Sequence, residues 1–243
     1  ALMIIRFDFK QMIKILTSIL LFYWVLLWSG SGESPYDLES NLVRTFDIFI
    51  LGENHLYRGF GIPFDPEGIL STIPSIGTII IGYLMGGMLH TTKNYNDCIK
   101  RMFAFGTALI IVGYLWGFLF PINKALWTSS YVLFTGGIGA IFLSLLTYLI
   151  DIKRFKKPFW VFEIFGTNSI FVFILSGLWV KTIMNIKREL NGEMTSAYNY
   201  LYKTVFVPLA GDINGSLLFA IAHVIGFWFI LYWMYKKNIQ IKL

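Results

Sequence analysis

The sequence predicts an all-α integral membrane protein, a polytopic helical bundle with about six transmembrane helices. Of its 243 residues, 56% are hydrophobic and only 14% are charged, and the mean hydropathy is +0.64. A soluble domain usually carries roughly 25% charged residues. The apolar residues also form runs long enough for a helix to cross a bilayer, without the short alternating pattern of barrel strands. The lipid bilayer is therefore the first predicted partner.

Six apolar runs mark the predicted spans. They lie near residues 12–28, 69–89, 102–120, 129–150, 159–180 and 214–235. We interpret residues 1–243 as a single transmembrane domain, in which these spans are joined by alternating loops.

The basic residues give the predicted orientation. Thirteen of the 20 Lys and Arg residues lie at the N-terminus, in loops 90–101 and 151–158 and in the C-terminal tail, and seven lie in the other loops. Because basic residues concentrate on the cytoplasmic side, both termini are predicted to be cytoplasmic. The net charge of +6 thus reflects membrane topology, and no nucleic-acid partner is predicted. Cys98 is the single cysteine, which excludes an internal disulfide, and no metal site is predicted.

Two features of the second span and the loop before it have helical spacing. Leu38, Leu42, Phe46 and Phe49 predict a short amphipathic helix over 37–52 that lies on the membrane surface and ends at Gly52. Small residues then recur along one face of the second span, which predicts close packing in a bundle or a homo-oligomer; they are Ser71, Ser75, Thr78, Gly82 and Gly86.

A polar cluster precedes the second span on the predicted outer face. It contains His55, Arg58, Asp65 and Glu67. Negative charge before the span suits the positive end of its helix dipole, and the spacing favours this structural role. The functional alternative is that Asp65 or Glu67 binds sugar hydroxyls or orients a base.

The loop "PINKALWTSS" (121–130) lies on the same predicted face. Ser or Thr at its end is suited to capping the fourth span, and Trp127 is suited to anchoring the membrane interface. Equally, a Trp with a neighbouring Asn and Lys suits a saccharide surface. Both interpretations remain open from the residues alone.

Three polar residues fall within the later spans: Glu163, Asn168 and His223. Such residues are functional candidates by default. Glu163 is near enough to the basic 151–158 loop to reach the interface. Asn168 is expected to hydrogen-bond to another helix, and His223 is either a packed histidine or a catalytic one.

Several stretches together resemble one family. In order along the chain they are "FDIFILGENHLY" (46–57), "DPEGILSTIPSIGTIIIGYLMG" (65–86), "INKALWTSSYVL" (122–133), "PFWVFEIFGTNSIFVF" (158–173) and "LYWMYKKNIQIKL" (231–243). They resemble segments of the heparan-α-glucosaminide N-acetyltransferase family, including its shorter bacterial relatives. The resemblance runs from about Asp37 to the C-terminus and corresponds to the C-terminal portion of the family.

The resemblance implies a membrane acetyltransferase. Its donor is cytoplasmic acetyl-CoA, its acceptor is the amino group of a glucosamine-type sugar on the outer face, and no metal takes part. With no glycosylation sequon in the outer loops, the implied location is a bacterial inner membrane. Besides Asp47, the positions that match the family's blocks, and that we expect to bind substrate, are His55, Tyr57, Asp65, Glu67, Asn123, Lys124, Trp127, Ser130 and Asn168.

The chain departs from the family at its beginning. The family's catalytic histidine belongs to an N-terminal region, whereas residues 1–36 contain no histidine. We therefore expect that the chain lacks the family's N-terminal spans and that its catalytic residue is not identified; His55 and His223 are the fallback candidates. Lys93, Lys100, Arg101 and the basic residues of loop 151–158 are candidates for binding the CoA phosphates. The preference for basic residues in cytoplasmic loops is by itself a sufficient explanation for their positions.

Two other functions remain open. One is a carrier for amino sugars, in which the outer polar cluster is a binding vestibule; transporters of this kind often have repeated halves and broken helices. The other is a non-catalytic membrane scaffold, which would not bind acetyl-CoA.

Overall fold

A computed structural model describes residues 7–30, 32, 34–92 and 94–241 of the chain. Within it the chain forms two compact units, Ala1–Arg154 and Phe155–Leu243. The interpretation of 1–243 as one transmembrane domain stays a prediction.

The described residues of the first unit form five α-helices. They are α1 (Phe9–Gly30), α2 (Leu42–Leu51), α3 (Thr72–Thr91), α4 (Tyr95–Trp116) and α5 (Ser129–Thr147), the last continued by a π-helical turn at Tyr148–Ile152. A 3₁₀ turn at Glu53–His55 follows α2. The ends of α1 and α4 and the starts of α3 and α5 lie next to the two polar loops, so these loops gather at one end of the unit.

Side-chain caps set several of these helix ends. The Asn41 side chain accepts a hydrogen bond from the Arg44 N–H at the start of α2, and Gly52, at φ 78°, ends that helix. The Asn94 side chain caps α4 by accepting a hydrogen bond from the Asn96 N–H. Helix α4 therefore begins at Tyr95, seven residues before the start of the predicted third span. Lys100 and Arg101, predicted in the loop 90–101, therefore lie within α4, and the position of the membrane boundary along this helix stays a prediction. Thr128 caps α5, as the sequence predicted.

Among the described residues, close packing between helices occurs at Gly106 and Gly137, and not at Gly82 and Gly86 as predicted. A methyl group built on Gly82 or Gly86 would meet nothing within 4 Å among the described residues. A methyl group on Gly106 or Gly137 would instead collide with the backbone of the facing helix, α5 or α4. Small residues at a helix interface permit this close approach. The packing predicted for Gly82 and Gly86 is thus wrong within this unit, and α4 against α5 is the close pair.

The second unit begins with a bent helix pair. Helix α6 (Trp160–Thr167), after a 3₁₀ turn at Lys157–Phe159, and helix α7 (Ser169–Asn185) meet at an angle of 71°. The bend lies at Asn168, whose φ of −135° and ψ of 41° are not helical. The fifth predicted span is therefore two helices, because its backbone is interrupted at that residue.

A small hairpin and a long helix complete this unit. Strands β1 (Lys187–Leu190) and β2 (Glu193–Ser196) pair antiparallel around Asn191 and Gly192, both with positive φ, which an Asn-Gly turn favours. Helix α8 (Ala197–Leu201), a π-helical turn at Tyr202–Phe206 and α9 (Val207–Lys236) follow. Within α9, Gly211 is non-helical at φ 75°.

The class predicted from composition is confirmed. The described residues contain five helices long and apolar enough to cross a membrane, or six spans if the bent pair counts as one. The hairpin is the only strand pair in that part of the chain and adds a minor β element to a helical fold. The orientation of the termini stays a prediction.

Candidate functional site

A small polar pocket lies at the loop end of the first unit. Its volume is about 220 Å³, and it is lined by Pro66, Glu67, Ser71, Thr72, Ser75 and Trp127. The first five come from the turn before α3 and from its first helical turn. Trp127 comes from the loop before α5. The pocket therefore brings together two sequence segments that were predicted separately to carry a site.

The turn before α3 presents Glu67 to this pocket. The Asp65 carboxylate accepts the Glu67 N–H at 2.9 Å, and the Ser71 hydroxyl donates to the Gly68 carbonyl at 2.7 Å. Glu67 itself is exposed. Asp65 and Glu67 precede α3, which begins at Thr72, and no acidic residue lies in its first turn; the dipole role of the two acids stays a prediction. Asp65 shapes the turn, and Glu67 provides its free carboxylate.

Asp47 of α2 lies behind the turn and is completely buried. Its Oδ1 accepts the Ile69 N–H at 3.0 Å, whereas its Oδ2 is buried without a hydrogen-bond partner among the described residues. Burial raises the pKa of this carboxyl above its ordinary value, the Ile69 hydrogen bond opposes that rise, and the negative charge of Asp65 adds to it. Asp47 is thus an acid held where its charged form is disfavoured.

Trp127 forms the opposite wall of the pocket. Its backbone is in the left-handed region at φ 51°, an uncommon conformation for a bulky residue. Its Nε1–H donates to the Thr78 hydroxyl of α3 at 3.2 Å, and its ring packs edge-on against Tyr131 at 5.4 Å between centroids. These contacts fix the indole beside α3.

The other polar residues of this loop are used to build it. The side-chain oxygen Oδ1 of Asn123 accepts a hydrogen bond from the Ala125 N–H at 2.8 Å. The buried Ser130 hydroxyl donates to the Phe120 carbonyl at 2.5 Å. Lys124 is exposed and does not line the pocket. Of the four substrate-binding residues predicted in this loop, the structure places only Trp127 on the pocket wall.

His55 and Tyr57 lie outside the pocket lining. The His55 Nδ1–H donates to the Leu51 carbonyl at 2.7 Å, which closes the end of α2. Tyr57 is 58% exposed, and its ring meets Phe60 edge-on. The structure therefore places these two residues on the exposed stretch that precedes the turn.

Asn168 and His223 belong to the second unit. The Asn168 amide donates to the Ile239 carbonyl at 3.0 Å and accepts the Ile241 N–H at 2.9 Å, so it bonds to the C-terminal tail rather than to the helix expected. His223 donates from Nδ1 to the Phe219 carbonyl at 2.8 Å and lines an aromatic cavity of about 450 Å³. The bond to Phe219 is consistent with a packed histidine, and the catalytic alternative for His223 stays a prediction.

A second pocket of the first unit lies toward the other end of α3. Its volume is about 550 Å³, and its polar wall consists of Asp8, Thr91, Thr92 and Arg101. Lys100 is exposed outside this lining, and Lys93 lies outside the described residues. Of the predicted phosphate cations that the structure describes, Arg101 is the one that lines this pocket. No group of three or more potential metal-binding side chains occurs in the part of the chain that is described.

Three hydroxyl residues that line the pocket were not among the predicted site residues. Ser71 and Ser75 were assigned to helix packing, and Thr72 was not considered. Their position in the first turn of a span, directly after an acidic turn, was the available signal. The same stripe also contains Thr78, whose hydroxyl accepts the Trp127 indole N–H.

The helices and this pocket define a class of protein: a polytopic integral membrane protein of helical type that carries a polar pocket at one end of its first unit. Two curated proteins are similar to the chain. Heparan-alpha-glucosaminide N-acetyltransferase of Mus musculus is 34% identical over 147 residues, which cover 53% of this chain and 22% of that protein. The protein of the same name from Homo sapiens is 32% identical over 146 residues, which cover 53% of this chain and 21% of the relative.

The similarity confirms the resemblance as a distant and partial one. The chain spans about a fifth of the length of the curated relatives it matches. No protein-family profile matches the sequence.

Proposed function

We propose that the protein is a transmembrane acetyltransferase that moves an acetyl group from cytoplasmic acetyl-CoA to the amino group of a glucosamine-type sugar on the outer face of the membrane. The observation that carries the proposal is the meeting of Glu67 and Trp127 in one pocket. The distant similarity to a sugar N-acetyltransferase supports the same chemistry. The bacterial inner membrane is the proposed location.

The pocket suits an amino sugar. A carboxylate such as that of Glu67 attracts an ammonium group and can remove its proton, which frees the amine as a nucleophile. The Trp127 ring offers an apolar face to a sugar ring. The hydroxyls of Ser71, Thr72 and Ser75 donate to backbone carbonyls, and their oxygens can still accept hydrogen bonds from sugar hydroxyls. Summed over the whole transfer, the thioester C–S bond breaks and CoA leaves as the thiol, an amide C–N bond forms at the sugar, and the proton that the amine gives to the base balances the proton that the CoA thiolate takes up.

The size of the pocket favours a small acceptor. Its volume of about 220 Å³ is below the range of about 300–1,000 Å³ typical of sites for drug-sized ligands. One monosaccharide ring fits this space better than a run of several. The proposed acceptor is accordingly a terminal amino sugar.

The second pocket is the place we propose for the donor phosphates. The Arg101 guanidinium and the hydroxyls of Thr91 and Thr92 suit one phosphate group, while Asp8 on the same wall disfavours it. From Ser75 to Gly87 the two pockets are separated by about 18 Å along α3, at 1.5 Å per residue. An acetyl group must therefore travel more than half the length of α3, which at 20 residues is about 30 Å long. Whether His55 or His223 carries it stays a prediction.

The test is acetyl transfer in isolated membranes. Membranes containing the chain are incubated with labelled acetyl-CoA and glucosamine, and acetylated sugar is measured. In the longest in-frame product that contains the chain we expect acetyl transfer, and a loss of at least about 100-fold in Glu67→Gln, because general bases contribute roughly 10²–10⁴-fold. Glu53→Gln, an exposed glutamate outside the pocket lining, is the matched control and should retain activity. Full activity of Glu67→Gln would remove that residue from the mechanism.

One observation favours a carrier as the second candidate function. The bent pair α6–α7 resembles the discontinuous helices of secondary transporters. Proteoliposomes with labelled glucosamine distinguish the two functions. Uptake of unmodified sugar without acetylation would support the carrier, and absence of both uptake and acetyl-CoA binding would support the scaffold.

A further inference from the structure

The acid in α2 has an unusual place in the first unit. Val43 and Asp47, one helical turn apart, are the two buried residues of α2. Val43 packs in a cluster of apolar side chains that includes Phe64 and Leu126. Asp47 continues the same buried face with a carboxyl group, where an apolar residue would be expected from helix amphipathicity.

The carboxyl group of Asp47 connects α2 to the turn that contains the pocket-lining residues Glu67 and Ser71. Its Oδ1 accepts the Ile69 N–H at 3.0 Å, across 22 residues of sequence. Its Oδ2 lies so close to Gly68 that a methyl group at that glycine would collide with it. Gly68 in turn accepts the Ser71 hydroxyl at 2.7 Å, and Ser71 lines the pocket. Two successive residues of the turn are thus in direct contact with one carboxylate.

Stability alone does not account for this acid. Oδ2 is buried without a partner among the described residues, and a buried unpaired polar atom is destabilising. The one hydrogen bond of Oδ1, from the Ile69 N–H, offsets only part of the cost of burying the carboxyl group. The benefit that remains is the placement of the turn between Asp65 and Ser71.

We propose that Asp47 is a positioning residue that holds Glu67 and Ser71 in place on the pocket wall by bonding the backbone between them. It touches neither the pocket nor a substrate, since it is completely buried and does not line the cavity. Its consequence for catalysis rests on the proposed function of the pocket. The positioning itself does not, because it is a property of the turn.

Hydrogen exchange measures the positioning without any assay of activity. The full chain in detergent is compared with Asp47→Ala, Asp47→Asn and Val43→Ala by exchange of the peptide that contains Ile69. Asp47→Ala should accelerate exchange at Ile69 about tenfold, in keeping with the loss of one hydrogen bond. Asp47→Asn keeps an acceptor oxygen and should restore protection. Val43→Ala shortens a neighbouring buried side chain on the same helix face and controls for loosened packing of α2.

Acetyl-transfer kinetics then connect the turn to the pocket. Asp47→Ala should raise the KM for glucosamine about tenfold with a smaller change in kcat, because it displaces binding groups. Asp47→Asn should stay within about twofold of the parent. Val43→Ala should lower the amount of folded protein without changing KM.

The outcomes separate the two proposals. Unchanged Ile69 exchange in Asp47→Ala, or equal acceleration in Val43→Ala, would overturn the positioning role. Accelerated exchange in Asp47→Ala with restoration by Asp47→Asn, in a protein that transfers no acetyl group, would support the positioning role and leave the acetyltransferase proposal as the one that failed.

Discussion

The two polar loops at the pocket end of the first unit differ in what their side chains do. In the turn at 65–71, Asp65 and Ser71 serve the backbone, and Glu67 is left free on the pocket wall. In the loop at 121–130, the polar side chains of Asn123, Thr128 and Ser130 all bond to backbone groups. Only the indole of Trp127 reaches the pocket from that loop.

The difference follows from backbone demand. The loop at 121–130 must satisfy buried carbonyl and N–H groups between α4 and α5, and short polar side chains can reach them. Glu67 has a longer side chain and lies at the exposed edge of its turn. Equal polarity in a sequence therefore does not mean equal availability to a ligand.

The largest expected effect concerns the two neighbouring acids. Glu67→Gln should lower kcat/KM for acetyl transfer by at least about 100-fold, whereas Asp65→Asn should lower it by less than about tenfold. The amide of Asn can still accept the Glu67 N–H, so the turn keeps its shape. The measurement is steady-state kinetics on equal amounts of folded protein. Equal losses in both variants would contradict the division of roles between these acids.

Ser130→Ala should chiefly affect stability. It removes the donor to the Phe120 carbonyl and should lower the free energy of unfolding by about 1–3 kcal/mol, the cost of a buried group left unpaired. Thermal unfolding in detergent measures it. Lys124→Ala, at an exposed position of the same loop, is the control and should change stability little. A kcat/KM that falls in Ser130→Ala at unchanged stability would indicate that this serine contacts substrate after all.

Trp127→Ala should weaken acceptor binding by about tenfold, because aromatic contacts contribute about 0.5–1.5 kcal/mol beyond buried area. The KM for glucosamine measures the effect. Thr78→Val removes the acceptor of the indole N–H while leaving the ring, and a much smaller change is expected from it. If both variants raised KM equally, the hydrogen bond rather than the ring face would be the important contact.

The smallest expected effect is the pH dependence contributed by Asp47. Its folded-state pKa is raised above the ordinary value of 3.8, so ionisation favours the unfolded chain. The titratable groups that face it are Asp65 and Tyr23. Stability from this group is therefore fully present below the ordinary pKa and is lost as pH rises through the raised one. Asp47→Asn should flatten this loss; melting temperatures compared at about pH 4 and about pH 7 measure it.

The sequence predicted the spans because hydropathy over about 20 residues reports directly on lipid exposure. It misplaced their details wherever one side chain decides the backbone. Asn94 extends α4 by capping it, and Asn168 interrupts the fifth span, and neither effect is visible in hydropathy. Gly82 and Gly86 have the spacing of a packing motif, but which helix faces them is a tertiary property.

The site was predicted only in part, because residue type is visible in a sequence whereas hydrogen-bond partners depend on the fold. Glu67 and Trp127 were identified from residue type and from the family resemblance, and the structure places them together. Asn123 and Ser130 shared those signals, yet their hydrogen bonds depend on carbonyl groups whose positions only the fold provides. Ser75 was missed because a hydroxyl in a stripe of small residues is indistinguishable from a packing residue until its surroundings are known.

The hydrogen bonds of Asn168 also determine when the bend between α6 and α7 can be completed during synthesis. The bend between α6 and α7 is closed by bonds to Ile239 and Ile241, which lie 71 and 73 residues further along the chain. A ribosome must make all of α7, the hairpin and α9 before these partners exist. Until then the buried amide of Asn168 has no such partners in the nascent chain, and the corner is completed only by the last stretch of tail. A contact of such long sequence separation forms late. Deleting or altering residues 239–241 therefore removes the hydrogen-bond partners of Asn168 and changes how the bend between α6 and α7 is completed.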